Sequence, residues 1–279
     1  RMDPEALRSF VAQAYGSWDP TPSYLLLVGD GSYDPRQYKQ DSEPTYIPPY
    51  LADTDPWAGE TAADNRYACV DGEDVLPDLL VGRFPVSTLT EAQNVVTKTV
   101  IYETEPDEGL WSGDVVLTAD DPDWGGSFPE MAETAAAAWI PPDVRVRRHY
   151  CTEGSLLGSD CPADRIDAIH DGLLQNWNEG GLIFGFFGHA SWHQWAASRF
   201  LHLDDLASIS NLGRTPVVVE MTCYTSAFNR PGKTLDEALV VHDQGGAVAT
   251  WGSTGLGLVA HQTPLSQGFF KAVFVDEVE

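Results

Sequence analysis

Two short apolar runs each end in a reactive side chain. Gly181-Leu-Ile-Phe-Gly-Phe-Phe-Gly-His-Ala-Ser191 delivers His189, and Pro216-Val-Val-Val-Glu-Met-Thr-Cys-Tyr224 delivers Cys223. Runs of this kind suit buried parallel strands, whose carboxyl ends share one edge of an open sheet where ligands collect. A thiol and an imidazole carried out on two such edges make a nucleophile and its base, because a nearby imidazolium stabilises the thiolate. Small residues beside His189, namely Gly188, Ala190 and Ser191, leave room for a substrate. The backbone N–H groups of Ala190 and Cys223 are the expected donors to a tetrahedral oxyanion. The reading is a cysteine hydrolase. Its plain alternative is a core histidine and an inert buried thiol, since one Cys and one His prove little alone.

A second constellation competes for His189. His189 and His193 have a His-x-x-x-His spacing, which on a helix would place both on one face for zinc. The intervening Ala-Ser-Trp has no helix start, and no Glu follows His189 as zinc hydrolases of the His-Glu-x-x-His type require. Zinc is the weaker reading.

The elements that must position these residues alternate along the second half. Strands are expected at 114–118, 144–150, 181–187, 217–221 and 247–251. Helices are expected at 128–139, 165–177, 203–209 and 235–242. Strand alternating with helix implies a mainly parallel sheet covered on both faces. The first half reads as a helix over 3–15, strands at 24–29 and 79–82, and a helix over 90–102, with Pro- and Asp-rich loops between. Pro106-Asp-Glu-Gly109 is the expected boundary between a smaller N-terminal α/β subdomain, 1–108, and a catalytic subdomain, 109–279.

Composition narrows the partners. The chain has 279 residues, 42 acidic against 16 basic, and a net charge of -26. Phosphate binding needs a basic face, so nucleic acid is excluded as a partner. No apolar run is long enough to span a bilayer. The surplus acid reads as a solvated surface of the kind extracellular proteins carry, or as calcium ligands and a lure for cationic substrates. Asp53, Asp55, Glu60, Asp64, Asp71 and Asp74 crowd loops with little apolar content, and are the expected calcium ligands. Of the four cysteines, Cys151 and Cys161 flank a loop with Gly154, Gly158 and Pro162 and are placed to close a disulfide. Cys69 reads as a small buried core residue.

Gly188-His-Ala-Ser191 and Thr222-Cys223, each after an apolar strand, resemble the two catalytic blocks of the gingipain-type cysteine peptidases, peptidase family C25 of the caspase-like group. Tyr24-Leu-Leu-Leu-Val-Gly-Asp30, Asp64-Asn-Arg-Tyr-Ala-Cys-Val-Asp-Gly72, Pro77-Asp-Leu-Leu-Val-Gly-Arg-Phe-Pro85 and Gly245-Gly-Ala-Val-Ala-Thr-Trp-Gly-Ser-Thr254 are similar to that family's framework. The resemblance runs from Tyr24 to about Phe270. It implies a caspase-like fold, a mainly parallel sheet flanked by helices, and endopeptidase activity. A catalytically inactive, peptidase-like binding module is the alternative. Where the family has Gly after the histidine, this chain has Ala190, which keeps the backbone donor.

The resemblance also implies an acidic residue orienting His189 from the loop after the first catalytic strand, Ala119-Asp-Asp-Pro-Asp123. Asp121 is the choice there and Asp120 the reserve, against their use as loop caps. Cleavage after Arg or Lys is implied, with Glu130 one step from the family's pocket carboxylate and Leu258 or Val259 on the pocket wall. Structural calcium and a pro-segment are implied too. The family continues into a further strand, so an additional C-terminal segment or chain is expected to complete the fold. Arg1 in place of Met is expected of a processed chain, and the expected location is extracellular or at the cell surface.

Overall fold

The computed structural model of the chain describes residues 3–40, 42–151 and 161–276. The backbone forms two compact units, Arg1–Gln93 with Ala227–Lys233, and Asn94–Ser226 with Thr234–Glu279.

In the first unit helix α1 (Pro4–Ser17) starts on Asp3, whose carboxylate accepts the Glu5 N–H at 3.1 Å, with Pro4 in the first turn where its missing donor costs nothing. Strands β1 (Tyr24–Val28) and, after the hairpin of β2 (Leu51–Asp55) and β3 (Gly59–Ala62), β4 (Leu80–Phe84) follow. β1 and β4 pair in parallel, Tyr24 opposite Leu80, and Val11, Ala68 and Leu79 form the small core. The Arg83 guanidinium meets Asp64 at 2.6 Å and the carbonyl of Gly29 at 2.6 Å, tying the loops after β1 and β3 to β4.

Helix α2 (Leu89–Thr104) carries the division between the units. It falls earlier than the expected 108/109 because Lys98 is 2% exposed and donates to the carbonyls of Leu239, Val240 and Ala247 at 3.0, 2.6 and 3.1 Å. The C-terminal turns of α2 therefore belong with the second unit.

That unit contains, in chain order, β5 (Asp114–Ala119), α3 (Phe128–Trp139), β6 (Arg145–His149), α4 (Ala163–Glu179) and β7 (Ile183–Phe187). A small antiparallel sheet of β8 (Ala190–Ser191), β9 (Gln194–Trp195) and β10 (Leu201–His202) comes next, then β11 (Val217–Met221), α5 (Leu235–Val241), β12 (Ala249–Trp251) and α6 (Val259–Phe274). The main sheet has the order β12-β11-β7-β5-β6 with every pair parallel. Both its faces are apolar, as the continuous hydrophobic runs require. Val116, Phe184, Phe186 and Val218 turn toward Leu173 and Trp177 of α4 and Leu235 and Leu239 of α5. Val115, Leu117, Ile183, Phe187, Val219 and Met221 turn toward Ala132 and Ala135 of α3 and Phe270 of α6. The doubly covered α/β sheet read from the sequence is the fold observed.

Candidate active site

In this order the first strand, β5, lies between the second and the third, so the connections leave β5 and β7 toward opposite sides. A crevice opens at such a reversal, outside the carboxyl ends of the strands. Every residue singled out for catalysis sits on that edge. Phe187 is in register with Ala119 on one side and Met221 on the other, so the three strands end level. His189 and Cys223 each lie two residues past that last pair, on neighbours about 4.8 Å apart. The Gly188 N–H still donates to the Met221 carbonyl at 3.3 Å, which keeps the two chains together up to the reactive positions. Gly188 is needed for the exit: a Cβ there would lie 2.5 Å from Asp120 Cβ and 2.9 Å from the Phe186 ring.

The His189 ring is held by a carboxylate, and it is that of Asp123. Nε2 lies 2.9 Å from Asp123 Oδ2, while Asp123 Oδ1 accepts the Gly125 N–H at 2.7 Å. Asp123 and Gly126 also exchange backbone hydrogen bonds at 3.0 and 3.2 Å, so a tight turn fixes the carboxylate. With Nε2–H committed to Asp123, Nδ1 is the nitrogen left to accept a proton. Phe128 packs edge-on against the imidazole, centroids 5.1 Å apart.

Asp121, the sequence choice for this role, is engaged elsewhere: its Oδ2 accepts the Cys161 N–H at 2.9 Å. Asp120 serves the histidine through the backbone, with Oδ2 accepting the His189 N–H at 3.3 Å and Oδ1 the Asp121 N–H at 2.9 Å. Burial pushes the Asp120 carboxyl above its usual range, and those two amide donors oppose the shift.

Cys223 is half-buried and outside any disulfide. Its sulfur accepts the Gly257 N–H at 3.3 Å and lies 3.8 Å from the Gly257 carbonyl, to which the thiol can donate. Ala190 stands opposite Trp195 in the β8–β9 ladder, and Ala196 N–H bonds the His189 carbonyl at 2.8 Å. Ladder bonds alternate along an antiparallel pair, so Ala190 and Trp195 form a non-hydrogen-bonded pair and the Ala190 N–H points away from β9. That direction suits an oxyanion donor.

Of the expected substrate contacts, Val259 begins α6 close to the His189 turn, since a Cβ on Gly126 would lie 3.3 Å from its Cγ1. Leu258 precedes it and is 45% exposed. Glu130 is on the exposed side of the first turn of α3. Two residues near the site escaped the sequence reading. Asp123 was passed over for a neighbour, although Asp-Trp-Gly-Gly is a turn sequence that could have marked it. Trp124 is 94% exposed with its ring 6.1 Å from that of His189.

The acids expected to bind calcium have the following partners. Asp55 Oδ1 accepts the N–H groups of Trp57 and Ala58, Asp64 is paired with Arg83, and Asp74 Oδ1 accepts the Leu76 N–H. Asp53 and Glu60 face each other across β2 and β3, and Asp71 donates its N–H to Asp78. These six residues are not brought together into one ligand set. Among the described residues the metal-capable cluster is Asp121 with Cys151 and Cys161, and those two sulfurs are joined in the expected disulfide with Cα atoms 6.0 Å apart. The loop residues 152–160 lie outside the described residues. For zinc, His193 turns to Ser191, Nδ1 to Oγ 2.8 Å, while His189 is on Asp123. No described helix is long and apolar enough to cross a membrane.

Comparison with known proteins gives the family and the fold. The model of peptidase family C25 matches residues 1–278. Lys-gingipain of Porphyromonas gingivalis is 22% identical over 230 residues, which are 78% of this chain and 12% of that protein. The crystal structure of the Arg-specific cysteine proteinase gingipain R superposes with a TM-score of 0.73 at 19% identity, over 97% of this chain and 57% of that one. A complex of the pro- and mature domains of RgpB from P. gingivalis gives a TM-score of 0.70 at 18% identity, over 97% of this chain and 59% of the other. The chain thus spans little more than half of the solved relatives and a small part of the curated one.

Proposed function

The chain belongs to peptidase family C25, and we propose that it is a cysteine endopeptidase working through Cys223 and His189. The observation that carries this reading is the level ending of β7 and β11, which brings one thiol and one carboxylate-held imidazole to the same sheet edge. The thiol proton passes to His189 Nδ1, and the sulfur attacks the scissile carbonyl carbon. The Ala190 and Cys223 N–H groups receive the oxyanion. Collapse of the tetrahedral adduct expels the amine, which takes the proton from His189, and leaves a thioester. Water, deprotonated by His189, then hydrolyses the thioester and frees the thiol. Asp123 holds the ring and offsets its charge while it is protonated.

The proposed residue before the scissile bond is Arg or Lys. Glu130 at the start of α3 is the carboxylate for it, Leu258 and Val259 line the wall, and the net charge of -26 steers cationic peptides inward. The names of two similar proteins, Lys-gingipain and the Arg-specific gingipain R, accord with this choice. A pro-segment is the proposed partner, on the likeness to the complex of pro- and mature domains. The disulfide and the acid surplus suit an extracellular or cell-surface setting.

Cys223→Ala and His189→Ala should each reduce hydrolysis of a peptide library by about four orders of magnitude or more, because the pair acts as a unit. A folded Cys223→Ala protein that keeps most of its activity would falsify the mechanism. In the same library, preference for Leu, Ala or Asp, or unchanged Arg cleavage by Glu130→Gln, removes the specificity proposal. Labelling of Cys223 with no hydrolysis of any peptide would favour a binding module.

A further inference from the structure

Behind the nucleophile lies a buried acid pair that the chemistry above does not use. Glu220 is on β11, shortly before Cys223, and Asp236 is in the first turn of α5; they are 4% and 2% exposed. Each is engaged by a different part of the frame around the site. Trp195, the cross-strand partner of Ala190, donates its indole N–H to Glu220 Oε1. Thr225, just after the nucleophile, donates its hydroxyl to Glu220 Oε2 at 2.6 Å, and the next residue, Ser226, donates to Asp236 Oδ2. Between Cys223 and Thr225 the backbone of Tyr224 is left-handed, φ 59°, a conformation unusual for a bulky residue and one that needs support from around it. The lid of the pocket is the chain leaving β12. A Cβ on Gly252 would lie 2.5 Å from Asp236 Oδ2, 2.5 Å from Glu220 Oε2 and 2.6 Å from Thr225 Oγ1.

Two carboxyls in a dry pocket do not both ionise. Burial first, and then the charge of Asp236, hold Glu220 far above the usual carboxyl range. Burial raises Asp236 as well, against hydrogen bonds from Glu220, Ser226 and Thr225. The groups facing the pair are thus the two carboxyls themselves, the Thr225 and Ser226 hydroxyls and the Trp195 indole. A proton kept on Glu220 has the Asp236 carboxylate as its acceptor.

We infer that Glu220 and Asp236 are positioning residues, a buried clamp that locks the turn after Cys223 to the hairpin carrying Ala190 and so fixes the sulfur relative to the imidazole and the oxyanion donor. The inference rests on Cys223 being the reactive thiol, and not on which peptide is cleaved. Both halves of the catalytic machinery reach the clamp: the nucleophile through Thr225 and Ser226, the histidine loop through Trp195. A hydrophobic pair in the same space would fill it without reaching either.

Alkylation of Cys223 by iodoacetamide, followed by mass spectrometry from acidic to alkaline pH, reads the thiol without a substrate, with the buried Cys69 as internal reference. In Glu220→Ala the alkylation rate at neutral pH should fall about 10- to 100-fold, as a displacement near 1 Å implies, with kcat falling alongside and KM little changed. Glu220→Gln donates to Asp236 as the protonated acid does but cannot titrate, so it should restore the rate and hold it to higher pH than the parent. A folded Glu220→Ala protein with the parent's rate and pH profile overturns the inference, as does a Glu220→Gln protein no better than Glu220→Ala. Should Glu220→Ala not fold, Thr225→Val carries the same expected drop and the same refutation. If the parent alkylates as described yet hydrolyses no peptide, the peptidase reading fails while the clamp stands.

Discussion

Asp123 does two things that neither of its acidic neighbours does. One oxygen is fixed by the Gly125 amide, and the other meets His189 Nε2 at 2.9 Å, so a rigid turn sets the tautomer and the direction of the ring. The ring and the carboxylate are 46% and 34% exposed, so solvent screens their attraction and orientation is the larger effect. Asp123→Asn should therefore lower kcat by about 10- to 100-fold, short of the loss caused by the wrong tautomer in a fully buried triad. Asp121→Asn should leave kcat near the parent's and reduce stability through Cys161. Steady-state kinetics of the two variants with one peptide decide between the carboxylates, and equal losses would remove Asp123 from its role. The family resemblance implied an acid in Ala119–Asp123 and pointed to Asp121 with Asp120 in reserve, whereas the carboxylate on the ring is that of Asp123. Asp120, Asp121 and Asp123 are chemically alike, and the choice depends on how the chain turns at Gly125 and Gly126. His189 and Cys223 stood out because each follows a mostly apolar run, the second interrupted by Glu220 and Thr222.

The central strands β5, β7 and β11 were readable because they are buried and mostly apolar, whereas the edge strand β6, Arg145–His149, is largely basic; the observed ends of all five fall within a few residues of those expected. The elements that escaped notice lack such a pattern. β8, β9 and β10 are two residues each and owe their existence to Trp195 stacking on Phe186, centroids 4.7 Å apart, which no local periodicity announces. α6 contains Pro264 and Gly268, both poor helix formers, and no helix was expected there; it forms with Phe270 fully buried against the sheet. Tertiary burial overrides propensity here. Between β6 and α4 the disulfide of Cys151 and Cys161 closes a loop of sequence separation 10, and the Cys161 amide extends the tether to Asp121 at the end of β5. Closing a loop of that length restricts the unfolded chain by about 2–3 kcal/mol. A Cys151→Ser, Cys161→Ser double variant should lose about that much in urea unfolding. An unchanged midpoint, or a parent whose midpoint ignores dithiothreitol, would show that the bridge holds nothing.

Protonation of buried groups should shape the stability of the chain more than its net charge of -26, which lies mostly in exposed, screened positions. Glu220 and Asp236 have raised pKa values, so the folded state keeps protons that the unfolded chain gives up. Their contribution is fully present below the ordinary carboxyl range and is lost as pH rises from there through the raised values of the folded state. Lys98 works the other way. Burial pulls its ammonium from 10.5 down to about 7, so in that window the unfolded chain binds a proton that the folded one has released. Stability from this group therefore rises with pH, by up to ~1.4 kcal/mol per unit between about 7 and 10.5. Released from its charge, the amine still donates to the carbonyls at the end of α5, so the link between α2 and α5 survives deprotonation. Lys98→Met removes both the link and the titration. It should be less stable than the parent, and the gap in urea unfolding free energy should widen from neutral to alkaline pH. If the two curves run parallel across that range, Lys98 does not titrate in the folded protein, and the carbonyls around it hold a full charge throughout.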